Sequence, residues 1–219
     1  MNKTKLLVLL SAMTISTLSF AETMWGTRVH AHLLDLAFPF ESSTCRAQMK
    51  AGSVLADSMD FQGEEYTFMH AMRTAEQTPE EAEKLMWDFV RKKYATIRKE
   101  TALYTRNPKK AAFKMKSCFN RGMALHPVMD MSSPSHSGFK IWDPSNVAEA
   151  LLHHGEAREF LVEKVGFSLG VPHSHEDMDT LNKMPTLKKS TIQAMREVDS
   201  ELLQADTDHL NYDVIRIKR

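Results

Sequence analysis

The sequence predicts an all-α protein with a single helical domain. Apolar residues recur at helical spacing along most of the chain, and convincing alternating strand patterns are absent. Capping residues followed by proline at Thr78-Pro79, Asn107-Pro108 and Asp143-Pro144 mark three helix starts. Residues 22–219, which remain after an expected leader, are enough for one domain with a substantial core.

Residues 1–21 have the pattern of an export signal. Lys3 and Lys5 form a positive region, an apolar stretch begins at Leu6, and Ser19-Phe20-Ala21 supplies small residues for cleavage. The apolar stretch is too short and too rich in Ser and Thr for a stable membrane span. We therefore expect a periplasmic or secreted protein whose mature chain begins near Glu22.

Charge and cysteine usage limit the possible functions. The chain has 28 basic and 28 acidic residues, so bulk charge does not attract it to polyanions, although a local basic patch can hide in a neutral total. In an oxidising compartment, Cys45 and Cys118 favour one disulfide over two buried thiols. Neither cysteine has the Cys-x-x-Cys spacing of a zinc or redox motif.

The first helices position several candidate ligands. A helix with Val29 and Leu33 on its apolar side carries His30 and His32, and we interpret His32 as structural. A second helix runs from Ser43 to Ala56 and ends at Asp57-Ser58-Met59-Asp60; a loop then leads to His70. Asp60 is either a partner of a ligand or a turn carboxylate.

The remaining helices follow from their start signals. Thr78-Pro79-Glu80-Glu81 is typical of a capping box, and the helix that it opens continues through Tyr94. We expect Asn107-Pro108 to start the helix that carries His126 and Asp130. Asp143-Pro144 starts another, with His153-His154-Gly155-Glu156 inside it, and the stretch from Thr186 to about Ala205 is an amphipathic packing helix.

His126 and Asp130 are the centre of the candidate metal site. They are four residues apart and so share one helix face. Ser132-Ser133-Pro134 favours a turn, which places His136 on the following loop. All ten histidines lie within residues 22–219, and a set of nitrogen and oxygen donors without cysteine suits zinc.

The order of these residues resembles the bacterial zinc-dependent phospholipase C family and its relatives, the single-strand-specific zinc nucleases. Trp25-Gly26-x-x-x-His30 is more similar to the nuclease branch, whereas Leu125-His126-x-x-x-Asp130-x-x-x-Pro134-x-His136 is common to both. Gly52-Ser53-x-x-Ala56-Asp57 with His70 thirteen residues later resembles the separated Asp and His ligands of the family. The resemblance covers about residues 25–163.

The resemblance implies an all-α fold with three zinc ions at the bottom of a cleft. One zinc would take Asp57, His70, His126 and Asp130. A second would take the amino group and carbonyl of Trp25 with His30, and would share Asp130 as a bridge. A third would take His136 with a histidine and a carboxylate from the following helix, either His153 with Glu156 or His154 with Glu159.

Two departures from the family pattern affect these expectations. The family uses tryptophan as the mature N-terminus, whereas cleavage after Ala21 leaves Glu22-Thr23-Met24 before Trp25. The family also has an acid four residues after the histidine in the last cluster, where this chain has Arg158 after His154. Either the chain is trimmed further or the second metal is bound differently, and a bulge at Gly155 would accommodate the last cluster.

The implied activity is hydrolysis of a phosphodiester. The first hypothesis is an exported zinc phosphodiesterase of phospholipase C type, which releases diacylglycerol and a phosphorylated head group and touches a membrane surface transiently. Asp130 would bridge metals, and Asp57 would orient or deprotonate water. The alternatives are a nuclease acting on single-stranded nucleic acid, a non-catalytic helical zinc-binding protein and an exported helical protein without metal. No obligate protein partner is evident.

Overall fold

Every regular element in residues 27–134, 136–142 and 181–205 is helical, and these are the residues that the computed structural model describes. The α-helices are α1 (Thr27–Ala37), α2 (Ser43–Ala56), α3 (Pro79–Arg106), α4 (Ala111–Asp130) and α5 (Pro185–Gln204). Two 3₁₀ helices, Met59–Phe61 and Glu64–Met69, connect α2 to α3. An isolated bridge pairs Arg73 with Ile141. The predicted all-α class is confirmed.

Most predicted helix boundaries are confirmed. The side chain of Thr78 accepts from the backbone of Glu81, whose side chain reaches back to the Thr78 backbone, so the capping box is present. Helix α2 has the predicted bounds, and α5 lies within one residue of its predicted ends. Pro127 lies inside α4 without ending it. The helix expected from Asp143 lies outside the described residues.

The helix start predicted at Asn107-Pro108 is wrong. The backbone N–H of Asn107 donates to the carbonyls of Leu103 and Tyr104, so Asn107 closes α3. A turn follows, in which the Lys110 N–H donates to the Asn107 carbonyl, and α4 begins only at Ala111. The Asn107 N–H thus satisfies carbonyls at the end of α3. The following residue, Pro108, has no N–H to continue the helix.

Helices α2 and α4 approach each other closely at two glycines. A Cβ on Gly52 would lie 2.0 Å from the Phe119 carbonyl oxygen, and a Cβ on Gly122 would lie 1.8 Å from the Met49 carbonyl oxygen. Only glycine allows backbones this near. A disulfide between Cys45 and Cys118 joins the same two helices, which confirms the favoured pairing. The crossing holds α2 and α4 in one register.

The core lies where all five helices meet, and a buried polar network attaches α5 to it. Apolar side chains from every helix form one cluster, with Leu33, Met49, Val90, Leu125 and Met195 fully buried. Arg121 of α4 donates two hydrogen bonds of 2.5 Å to Asp199 of α5, and Tyr94 of α3 donates to the same carboxylate at 2.8 Å. Because these charges are buried, losing one partner would be costly.

Candidate metal centre

Two carboxylates and four histidines converge at one end of the α2–α4 pair. His30 comes from α1, Asp57 follows the last residue of α2, and His70 follows the second 3₁₀ helix. His126 and Asp130 occupy the last turn of α4. Because α2 and α4 are fixed at the glycine crossing, their ends present Asp57 and Asp130 to the same space. The loop after α4 brings His136 to the cluster.

Asp130 lies at the centre of the cluster. Its Oδ1 is 3.0 Å from His30 Nε2, and its Oδ2 is 3.0 Å from His126 Nε2, 3.4 Å from His70 Nδ1 and 3.5 Å from His136 Nδ1. The residue is only 2% exposed. The four histidines predicted as ligands within the described residues therefore all contact Asp130. Asp57 contacts two of the same histidines, His30 and His126.

Asp57 forms the second carboxylate of the cluster and its most exposed part. Its Oδ2 lies 3.3 Å from His30 Nδ1, and its Oδ1 lies 3.3 Å from His126 Nε2. The Asp57 side chain is 11% exposed, against 3% for that of Asp130. The cluster thus reaches solvent on the Asp57 side.

Three of the imidazoles are held by hydrogen bonds: His70 and His126 through the ring nitrogen that faces away from Asp130, and His136 through Nδ1, the nitrogen that faces it. His70 Nε2 donates to the Phe61 carbonyl at 3.1 Å, which leaves its Nδ1 as the nitrogen facing Asp130. Ser53 Oγ lies 3.2 Å from His126 Nδ1, on the opposite side of that ring from Asp130. His136 Nδ1 donates to the His70 carbonyl at 2.6 Å. Such anchors fix ring orientation and tautomer in metal sites.

Two strained backbones flank the loops that carry His70 and His136. Ala71 has a φ of 50° and Phe139 a φ of 56°, the left-handed region that non-glycine residues rarely adopt. The Arg73 N–H donates to the Lys140 carbonyl, and the Trp142 N–H donates to the Arg73 carbonyl, so the two loops are tied together. Strain of this kind persists where the surrounding structure over-determines the backbone, which is common at functional sites.

The electrostatics of the cluster mix desolvation with attraction. Burial alone would lower the pKa of His30, but Asp130 and Asp57 raise it to about 10. Burial is the stronger effect at His126 and lowers its pKa. Burial opposes ionisation of Asp57, yet His126 and His30 lower the pKa of Asp57 to about 2. His126 and His136 likewise hold the pKa of Asp130 well below its usual range, against the effect of burial, so both carboxylates are charged at neutral pH, as ligands must be.

The donor set fits a divalent metal ion. Within the described residues, ligand atoms of two groups lie within 4.8 Å of one another: His30, Asp57 and His126, and then His70, His126 and Asp130. The buried atoms His30 Nε2 and Asp130 Oδ2 make no hydrogen bond of acceptable geometry, despite their short contacts. Buried polar atoms rarely lack partners, and an ion among these atoms would satisfy both.

The structure brings together most of the predicted ligands. His30, Asp57, His70, His126, Asp130 and His136 lie in one cluster. His30 contacts Asp57 as well as Asp130, which goes beyond the ligand set that the resemblance implied. Asp60 is exposed, and His32 lies outside the cluster. The other predicted ligands lie outside the described residues: Trp25, His153, His154, Glu156 and Glu159.

Ser53 is the site residue whose role sequence reasoning missed. It is 1% exposed and occupies the α2 turn before Asp57. Its spacing of four residues from Asp57 places both side chains on one helix face, and this signal could have found it. The carbonyls of Phe61 and His70 carry no such signal, since any residue supplies one.

The fold and the cluster define an all-α protein with a buried His/Asp centre able to hold a metal ion. No protein-family model matches the chain, and neither a curated protein nor a solved structure matches it. None of the helices in the described ranges has the length and apolar character that crossing a bilayer requires.

Proposed function

We propose that the chain is an exported, zinc-dependent phosphodiesterase of phospholipase C type. The observation that carries the proposal is the convergence of Asp57, His70, His126 and Asp130, in the chain order of the zinc phospholipase C family, around one buried space. His30 and His136, which the same resemblance identified, contact the same carboxylate, Asp130. Six ordered positions meeting at one point are hard to attribute to packing alone.

The donor chemistry favours zinc. Imidazole nitrogens and carboxylate oxygens without thiolates suit a hard or borderline divalent ion. Asp57, His70, His126 and Asp130 would hold it, and His30 and His136, which also contact Asp130, would be available to hold further ions. Zinc bound there supplies Lewis-acid chemistry, which makes water more acidic and neutralises charge on phosphate.

The chain's own residues supply positioning and proton transfer. Asp57 is the carboxylate nearest solvent, so it is the group that can accept a proton from an attacking water. Water adds to phosphorus, the bond from phosphorus to the glycerol oxygen breaks, and that oxygen takes up a proton. The products are diacylglycerol and a phosphorylated head group. Asp130, enclosed by four imidazoles, keeps the ligands in place.

A single-strand-specific nuclease is the second candidate. The spacing of Trp25-Gly26 and His30 resembles the nuclease branch, and the same cluster would hydrolyse a nucleic-acid phosphodiester. A helical zinc-binding protein without turnover is the alternative from a different class, and the irregular cluster at His153-His154 favours it.

The test compares initial rates on phosphatidylcholine vesicles and on single-stranded DNA for the purified mature protein with added zinc. Asp130→Asn removes the central carboxylate, and Asp60→Asn, at an exposed position three residues after Asp57, is the matched control. Lipid hydrolysis that survives only in Asp60→Asn supports the phospholipase. DNA cleavage alone supports the nuclease, and bound zinc without either activity supports the non-catalytic protein.

A further inference from the structure

Basic side chains gather on one face of this neutral chain, where α1, α2 and α5 meet. Residues 181–196 contain Lys183, Lys188, Lys189 and Arg196 and no acidic residue; the first acid of α5 is Glu197. Lys188, Lys189 and Arg196 line one open groove together with Ile192. The overall balance of charge conceals this arrangement, because acids are concentrated elsewhere.

Contacts with α1 and α2 extend the basic surface. Arg196 of α5 and Arg46 of α2 both donate to backbone carbonyls between Leu36 and Pro39, at the end of α1. Lys50 and Arg46 of α2 share a single carboxylate, Asp35, at 2.5 Å and 3.3 Å. We call Arg46, Lys50, Lys188, Lys189 and Arg196 the basic face. Asp35 offsets part of the charge of Arg46 and Lys50, and Glu41 of the neighbouring loop pairs with Arg121, so the five cations outnumber the acid within the face.

An exposed aromatic residue stands at the edge of the basic face. The side chain of Phe40 is fully exposed, in the loop between α1 and α2. Arg46 donates to the carbonyls of Pro39 and Glu41, on either side of Phe40, and Arg196 donates to the carbonyls of Leu36 and Ala37 at the end of α1. An aromatic side chain among cations is typical of proteins that bind at the membrane interface.

We infer that the basic face and Phe40 dock the protein on the surface of an anionic phospholipid bilayer. The cations would meet lipid phosphates and Phe40 would enter the boundary between head groups and acyl chains. The inference rests on the proposed function, because docking would serve catalysis only if the substrate is a phospholipid. The docking itself requires no catalysis. Docking would concentrate the metal centre at the surface where a phospholipid substrate lies.

The test measures partition of the full-length mature protein, stripped of metal with EDTA, onto sedimentable vesicles. Vesicles of phosphatidylcholine alone are compared with vesicles containing phosphatidylglycerol. The variant Lys188→Glu/Lys189→Glu should partition at least about 30-fold more weakly onto the anionic vesicles. Phe40→Ala should weaken partition about tenfold, because it removes apolar area from the interface.

The matched control is Lys109→Glu/Lys110→Glu, an exposed lysine pair between α3 and α4 with the same change in net charge. It should partition almost as the unmodified protein does. Equal losses in the two double variants, or no binding of the unmodified protein to anionic vesicles, would overturn the proposal. Binding to a single-stranded oligonucleotide in place of vesicles would also overturn it.

Failure of docking and failure of the proposed function give different results. Hydrolysis of a short-chain phosphatidylcholine below its micelle concentration needs the metal centre but no surface. Hydrolysis that Lys188→Glu/Lys189→Glu retains, together with lost vesicle binding, supports both. Vesicle binding without hydrolysis would support the docking surface and contradict the phospholipase. Hydrolysis by the unmodified protein without any vesicle binding would support the phospholipase and contradict the docking surface.

Discussion

Ser53 Oγ lies 3.2 Å from Nδ1 of His126, and both side chains are almost wholly buried. The contact puts the hydroxyl on the far side of the ring from Asp130. When His126 Nε2 binds a metal, Nδ1 must carry the hydrogen, and Ser53 is then its acceptor. The pairing connects the last turn of α2 to a ligand on α4.

Replacing Ser53 with alanine should weaken zinc binding by about 10- to 100-fold, since that ring nitrogen would lose its partner. Competition with a chromophoric chelator measures the change. Ser117→Ala is the matched control, because Ser117 is also a buried serine but lies on α4 and pairs with Thr101 of α3, away from the cluster. Equal affinity in both variants would remove Ser53 from the site.

A methyl group at Gly122 should destabilise the fold. Its Cβ would lie 1.8 Å from the Met49 carbonyl oxygen, so Gly122→Ala must push α2 away from α4, at a cost of about 3 kcal/mol or more in the free energy of unfolding. Urea unfolding measures this. At Gly63 the nearest atoms belong to the flexible Glu65 side chain, so Gly63→Ala should change stability little. Similar urea midpoints for the two variants would show that the crossing tolerates a Cβ.

Without metal, the protein should become less stable as the pH rises above 6.5. The pKa of His30 is raised to about 10 in the folded state from the ordinary 6.5, and that of His70 is also raised. The folded chain thus holds protons that the unfolded chain has released, and this stabilisation disappears as the pH approaches 10.

Zinc should reverse that trend, because a metal replaces the protons and requires neutral imidazoles. Urea midpoints at pH 6.5, 7.5 and 8.5 with EDTA should fall, whereas with excess zinc they should hold or rise. Parallel decreases under both conditions would mean that the protons and the metal do not compete for the same atoms.

Removing the disulfide should destabilise the chain by about 4 kcal/mol. The bond between Cys45 and Cys118 closes a loop of 73 residues, and such cross-links mainly restrict the unfolded state. Cys45→Ala/Cys118→Ala should therefore lower the urea midpoint, and dithiothreitol should lower that of the unmodified protein equally. A reductant that also shifts the midpoint of the double variant would point to another cause.

The fold was largely predictable because its signals are local. The capping box at Thr78 and the bounds of α2 follow from side chains within one helical turn. The helix start predicted at Asn107-Pro108 is wrong because the same two residues are typical both of the end of a helix and of the start of one. The close packing of α2 on α4 depends on Gly52 and Gly122 meeting across more than sixty residues of chain, and no local pattern shows this.

The sequence predicted which residues are candidate ligands of the site, but not all the contacts between them. Order and spacing pointed to Asp57, His70, His126 and Asp130, since each is a metal-binding residue type. Spacing did not show that His30 would contact both carboxylates, because that depends on where α1 crosses the ends of α2 and α4. The basic face was equally hidden, as its cations come from two helices, α2 and α5, that are distant in sequence.

The disulfide also shortens the path by which the metal ligands find one another during folding. Asp57 follows Cys45 by 12 residues, and Asp130 follows Cys118 by 12 residues, although the two aspartates are 73 residues apart along the chain. Once the cysteines are joined, each carboxylate is separated from the disulfide by only 12 residues of chain. The entropy cost of closing the cluster from the unfolded chain is then lower than it would be without the disulfide.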